Sequence, residues 1–297
     1  MSWLWIDAGG AQVWLPGVLV LGAIVGTMAG LFGVGGGFLL TPLLSVVFGL
    51  PIDLAVGTGL SQMVGTSLAS YLKHRALEQG EQKIAILLAG GTLLGVEAGA
   101  LALTALGRLG TVRLFGGEIL WIDLVAKSTF AGLLAATAWL SWRRRSLVEP
   151  TQALPGPLAR LRIGPTLLLP RAGFEVSALV VAYLGLSQGF LSGFFGIGGG
   201  IVLLPLLVYG FGMPLRHAAA TGLGLMCLTA SVGAFSHAMR GNVSLPLAMA
   251  LLVGSTVAAQ FGALASKRLA AGRQHRIFAV LTLGVAASLV WDVARRL

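Results

Sequence analysis

Apolar residues run along this chain in blocks long enough to cross a lipid bilayer, separated by short polar joints. A helix needs about 20 consecutive apolar residues to span the hydrocarbon core. Such blocks fall at residues 13–33, 54–73, 83–106, 118–142, 174–196, 217–238, 244–266 and 276–294. Two shorter apolar blocks, 35–50 and 198–212, each follow a run of three glycines. The polar–apolar alternation of a membrane β-barrel is absent, so the pattern predicts an all-α polytopic membrane protein with 8–10 membrane segments. Composition agrees. Hydrophobic residues make up 56% and charged residues 10% of the chain, against roughly 25% charged in soluble domains, and mean hydropathy is +0.90. A soluble core of this length could not hide so much apolar surface. The N-terminal MSWLWID has no basic stretch of the kind that opens a cleavable signal.

The blocks are duplicated. Laid on 185–229 without a gap, residues 22–66 give 21 identities in 45 positions, an offset of 163. Retained in both copies are Gly22/Gly185, Gly26/Gly189, Gly30/Gly193, Gly33/Gly196, the triplets Gly35-Gly36-Gly37 and Gly198-Gly199-Gly200, and the prolines Pro42/Pro205 and Pro51/Pro214. Glycine and proline are kept where a backbone turns, breaks or comes close to a neighbour. The organisation expected is a first membrane repeat at 13–142, a linker at 143–173 and a second membrane repeat at 174–296. Five segments per repeat is an odd number, so the second repeat should enter the membrane inverted, with glycine-broken segments that either span or re-enter.

Charge refines this picture. The net charge is +10, but Lys and Arg sit at segment ends instead of forming one basic face, which argues for membrane topology and against nucleic acid. The linker carries Arg143, Arg144, Arg145, Arg160, Arg162 and Arg171 among five prolines. The positive-inside rule places it in the cytoplasm. Counting outward puts Lys73, Arg75, Lys83, Arg216, Lys267, Arg268, Arg273 and Arg276 on the same side, with Arg108, Arg113, Arg240, Arg295 and Arg296 opposite. Tryptophans near segment ends, such as Trp14, Trp121, Trp142 and Trp291, suit interfacial anchors. The single Cys227 gives neither a disulfide framework nor a thiol metal site.

The doubled motif G-x-x-x-G-x-x-G-x-G-G-G-x-x-x-x-P, from Gly26 to Pro42 and from Gly189 to Pro205, resembles the TauE/SafE sulfite exporter family, also called the toluene-sulfonate uptake permeases. The resemblance covers about 13–106 and 174–294. It implies a secondary transporter, an exporter, that moves small sulfur-containing anions such as sulfite or organosulfonates across the bacterial inner membrane. Some family members are linked to other small acids, so a carrier of a small carboxylate is the alternative within that class.

The residues support an anion site on their own. A helix that begins just after a glycine triplet presents unpaired N–H groups and the positive end of its dipole. In a bilayer such backbone must face protein or a wet cavity. The candidate substrate-binding set is therefore Gly35, Gly36, Gly37 and Phe38 with Gly198, Gly199, Gly200 and Ile201. Neutral donors Thr41, Thr58, Gln62, Thr66, Thr221 and Thr229 join them, with Ser45 and Ser61 nearby. Gly22, Gly26, Gly30 and their partners read as close helix packing. Glu97 lies mid-segment with Gln260 as its repeat counterpart, and an ionisable residue there is costly and functional by default. It is a candidate proton-coupling group, as are His74 and His237, which close the third segment of each repeat; a structural hydrogen bond is the simpler role for each. Lys127 follows Asp123 by four residues, a spacing that pairs them on one helix face.

The glycine triplets fit neither a P-loop nor a dinucleotide fingerprint, and no protease, hydrolase or metal-ligand motif is present. The sequence thus points to a protein that is not an enzyme and uses no cofactor or metal. Its partners are the bilayer, a small anion, a coupling proton in the proton-linked reading, and a second copy of itself if it forms a homo-oligomer. A passive anion channel is the competing class, since a glycine-lined pore with neutral donors has the same sequence features.

Overall fold

The computed structural model describes residues 4–8, 11–32, 36–75, 82–114, 117–144, 156–161, 163–169, 174–213, 215–269 and 271–296. Among these described residues, ten helices carry the fold. In the first repeat they are α1 (Leu15–Phe32), α2 (Gly37–Val47), α3 (Ile52–Arg75), α4 (Gln82–Gly107) and α5 (Trp121–Arg144). In the second they are α6 (Ala178–Phe195), α7 (Gly200–Pro205), α8 (Leu215–Ala238), α9 (Leu245–Arg268) and α10 (Ala271–Ala294). Six of them, α1, α4, α5, α6, α9 and α10, are long and apolar enough to cross a membrane, and the protein is an all-α polytopic membrane protein.

Three short antiparallel hairpins depart from the all-helical expectation. β1 (Trp5–Ala8) pairs with β2 (Ala11–Trp14), β3 (Thr111–Leu114) with β4 (Gly117–Leu120), and β5 (Thr166–Leu169) with β6 (Phe174–Ser177). Blocks expected as helix from residues 13, 118 and 174 therefore begin as strand and turn helical at Leu15, Trp121 and Ala178. β2 and β6 stand at equivalent repeat positions, so the structural repeat starts at its hairpin.

Helix packing follows the duplication. α1 lies along α9 and α6 lies along α4, and each of these pairs is the repeat image of the other. α3 packs on its own counterpart α8, and α5 on α10. The glycine ladders explain the close approach. A Cβ on Gly22 would sit 2.7 Å from the Leu251 carbonyl oxygen, and one on Gly26 or Gly30 would overlap that of Ser255 or Ala259. Gly185, Gly189 and Gly193 meet the oxygens of Leu88, Thr92 and Val96 in the same way, and each of these is 163 residues before its mate. Helix association in lipid rests on such backbone contact between small residues, so the packing role read from the sequence holds for all six. Large apolar side chains such as Ile86, Leu94, Val257, Phe261 and Val290 point outward, as a surface facing hydrocarbon requires.

The broken segments are short. α2 has 11 residues, and α7 continues through a π-helical turn, Leu206–Gly210. Pro205 lacks an N–H and crowds the preceding turn, a recognised cause of such a change in ladder. Each broken helix rises about 16 Å at 1.5 Å per residue, half the ~30 Å core. The described part of the linker docks on the helices of the second repeat. Gly156 N–H donates to Phe211 O at 3.0 Å and Leu158 N–H to Gly210 O at 2.9 Å, Ala159 is buried, and Ala178 N–H donates to Pro165 O at 2.9 Å. The unit from α6 through Gly210 thus starts and ends beside the linker, with Gly196–Gly199 at the turn between its two helices.

A buried ion cluster ties α5 to α10. Lys127 Nζ lies 3.0 Å from Asp123 and 2.8 Å from Asp292, and Arg295 and Arg296 close on Asp292 from the α10 end. The expected Asp123–Lys127 pair is present, and Asp292 is the partner that spacing could not supply. Removing the cation would leave two carboxylates facing each other in a buried site, a loss of about 3–5 kcal/mol. Lys127→Met should accordingly lower the thermal midpoint of the detergent-purified protein by many degrees, while Arg295→Met, at a half-exposed partner, should shift it little.

Candidate functional site

The site begins at two helix starts that have no side-chain cap. Gly36 caps α2 at φ 72° and Gly199 caps α7 at φ 87°, both left-handed, and neither carries a capping group. Side-chain oxygens ordinarily satisfy the first N–H groups of a helix. Here the earliest ladder bonds run from Leu39 N–H to Gly36 O and from Val202 N–H to Gly199 O. The N–H groups of Gly37, Phe38, Gly200 and Ile201 are left without intrahelical partners, and all four residues are buried. Gly35 falls outside the described residues.

The two breaks meet at Met63 of α3. A Cβ on Gly37 would overlap Met63 Sδ and one on Gly198 would overlap Met63 Cε, so a single thioether lies against both. Met63 is fully buried and clusters with its repeat counterpart Met226 and with Ala230. The Gly37 Cβ position is also 3.0 Å from Gly196 O, and that of Gly196 is 2.7 Å from Thr41 Oγ1. The sequence-predicted Gly36, Gly37, Phe38, Thr41, Gly198, Gly199, Gly200 and Ile201 are thereby brought to one region.

The other predicted donors carry hydrogen bonds of their own. Thr58 Oγ1 accepts from Ser244 N–H at 3.0 Å, joining α3 to the start of α9. Thr66, Thr221 and Thr229 donate along their own helices to Met63, His217 and Leu225 carbonyls. Gln62 Nε2 donates to Ser255 Oγ at 2.6 Å, leaving Oε1 without a partner.

Sequence reasoning missed Gln188 and Ser192. Gln188 is 1% exposed and Ser192 fully buried. Thr92 Oγ1 donates to Gln188 Oε1 at 3.1 Å, which turns Nε2 toward Gly199, where a Cβ would overlap it. That Nε2, Ser192 Oγ, Thr41 Oγ1 and Ser45 Oγ are buried without a hydrogen-bond partner. Such groups cost about 1–3 kcal/mol each if nothing meets them, and a concentration of them beside open backbone N–H groups is the mark of a place for a polar ligand. The available signal was a polar side chain in the interior of an apolar segment.

The described coupling candidates are hydrogen-bonded. Glu97 is not a lone carboxyl: Arg240 NH2 bonds its Oε1, and Ser236 Oγ donates to Oε2 at 2.5 Å. The charge count puts Arg240 in an outer loop, but it stands two residues beyond α8 and reaches back along the helix to α4. His237 Nε2–H donates to Gly193 O at 2.9 Å, fully buried, with Nδ1 unpartnered. His74 lies in the last turn of α3, and its side chain is outside the described residues. The cations nearest the interior are thus committed, Lys127 to Asp123 and Asp292 and Arg240 to Glu97. Among the described residues, the unpartnered side-chain donors named around the breaks are neutral.

The fold and the two uncapped helix starts define the class: a helical membrane protein with broken helices in its interior, and its relatives make it a membrane transporter. Residues 18–289 match the family described as sulfite exporter TauE/SafE, and the chain belongs to it. It is 28% identical to a probable membrane transporter protein of Methanocaldococcus jannaschii, with 84% of this chain and 85% of that protein covered. To the probable membrane transporter protein YunE of Bacillus subtilis it is 25% identical over 93% and 97%. To a probable membrane transporter protein of Xylella fastidiosa it is 27% identical over 91% and 92%. No solved structure matches it.

Proposed function

We propose that this transporter is a secondary carrier of small sulfur-containing anions, sulfite or an organosulfonate, and that it exports them across a bacterial inner membrane. The linker 143–173 lies on the cytoplasmic side in this reading, and the repeats insert in opposite orientations. The observation that carries the proposal is the pair of buried helix starts, capped by Gly36 and Gly199, whose breaks meet at Met63. Their free N–H groups and dipoles favour an anion. Neutral donors hold it without the tight ion pair that would oppose release, and a site at the tip of re-entrant hairpins suits alternating access by one repeat moving against the other.

Counterflow in proteoliposomes tests this with sulfite, sulfate, thiosulfate, taurine, sulfoacetate and acetate, with and without an imposed pH gradient. Saturable counterflow of sulfite or a sulfonate is the expected result. Flux that never saturates would make the protein a channel, and counterflow of acetate alone would make it a carboxylate carrier. The pH-gradient arm decides whether a proton is coupled. Glu97→Gln and substitutions of His74 and His237 then locate the group, with His237 favoured by its burial and its unpartnered Nδ1.

A further inference from the structure

Comparing the repeats position by position shows where their symmetry fails. The four side chains with buried, unpartnered polar atoms around the breaks are Thr41, Ser45, Gln188 and Ser192. Their repeat counterparts are Leu204, Val208, Val25 and Ala29, all apolar. Thr41 and Ser45 are one turn apart on α2, and Gln188 and Ser192 one turn apart on α6. Thr41 Oγ1 faces Gly196, which caps the end of α6, so the two polar turns approach each other at the second repeat's break. Among the described residues, the nearest neighbours of the first repeat's break at Gly36 are apolar or backbone. A Cβ on Gly36 would first meet Ala29 Cβ and Val25 Cγ1, at 3.0 Å each, and Val25 O at 3.2 Å. The backbone breaks are duplicated, whereas among the described residues the unpartnered side-chain donors gather at the second.

We propose that the anion docks off the axis relating the repeats, beside Gly199, with the Gln188 amide as its principal side-chain donor and Ser192, Thr41 and Ser45 completing a neutral oxyanion site. This rests on the anion-carrier reading above and narrows it. Gln188 is pre-oriented, because Thr92 takes its Oε1 and leaves Nε2 to point at the break. Four side-chain donors from two helices, added to backbone N–H groups, exceed what the two oxygens of a carboxylate use. They match a head group with three oxygens on one centre, which is the geometry of sulfite and of a sulfonate. Among the described residues, the buried or half-buried carboxylates Glu97, Asp123 and Asp292 are each committed to a cation, Arg240 or Lys127.

The test is binding of sulfite, sulfoacetate and acetate to the purified full chain by calorimetry, alongside counterflow. Gln188→Met should weaken sulfite and sulfoacetate about tenfold or more, the scale of a lost hydrogen bond to a charged group, with a smaller effect on acetate. Gln188→Glu, the same shape with a negative charge, should abolish binding of both. Ser192→Ala removes only a hydroxyl, serves where a Gln188 variant does not fold, and should weaken both severalfold. Val25→Ala, at the mirror position of Gln188, should leave affinity within about twofold of the parent, since no hydrogen bond is lost. Parent-like affinity in folded Gln188→Glu, or an equal loss in Val25→Ala, overturns the one-sided site while the carrier reading stands. A parent that neither binds nor moves any of the anions overturns both.

Discussion

Gly199→Leu and Gly36→Leu should each abolish counterflow while protein still accumulates in the membrane. Both glycines hold left-handed backbone, at φ 87° and 72°, a region that costs an ordinary L-residue about 1–2 kcal/mol. Strain of that size does not unfold a domain. It moves the start of the helix, and with it the N–H groups on which the site depends. At position 199 the side chain would also occupy the space of Gln188 Nε2, so the variant loses the strongest side-chain donor along with the backbone geometry. At position 36 the collision is with Val25 and Ala29 of α1, and the damage passes through the seating of α2 and its Thr41. Initial rates of labelled sulfite counterflow, normalised to inserted protein, provide the measurement. Parental rates in both variants would remove the breaks from the transport path.

The duplication and the two breaks are legible because they are written in glycine, whose backbone role survives when the two halves are laid together. The same comparison hides the side chains that distinguish the halves. Gln188 and Ser192 pair with Val25 and Ala29, and a search for shared positions passes over them, although a buried glutamine in an apolar segment is itself a signal. Conversely Thr58/Thr221 and Thr66/Thr229 stand out by being shared, and their hydroxyls bond to backbone. The pairing of Glu97 stays hidden for a different reason. Its partner Arg240 lies 143 residues away, just past the end of an apolar block, and no periodicity reports a pairing between helices that far apart. The hairpins escape because strands of four residues give no alternation long enough to separate from the helical blocks they precede.

The glycine ladders support the sharpest expectation about folding. Gly30→Val and Gly193→Val should yield no folded protein, because the atoms a side chain would strike are the backbone oxygens of Ala259 and Val96. A crowded side chain can change rotamer, but a carbonyl in the middle of a helix moves only if the helix moves. α1 would have to part from α9, or α6 from α4, along the whole ladder, since Gly22, Gly26 and Gly30 or Gly185, Gly189 and Gly193 act as one surface. Parting such an interface forfeits dispersion energy that rivals the roughly 5–15 kcal/mol holding a typical domain together. Gly90, Gly132 and Gly284 have nothing within 4 Å of a Cβ, and alanine there should be tolerated or stabilising by about 0.5–1 kcal/mol through helix propensity. Size-exclusion profiles and thermal midpoints in detergent separate the two groups. A monodisperse Gly193→Val with the parent's midpoint would mean that α4 and α6 do not pack backbone to backbone.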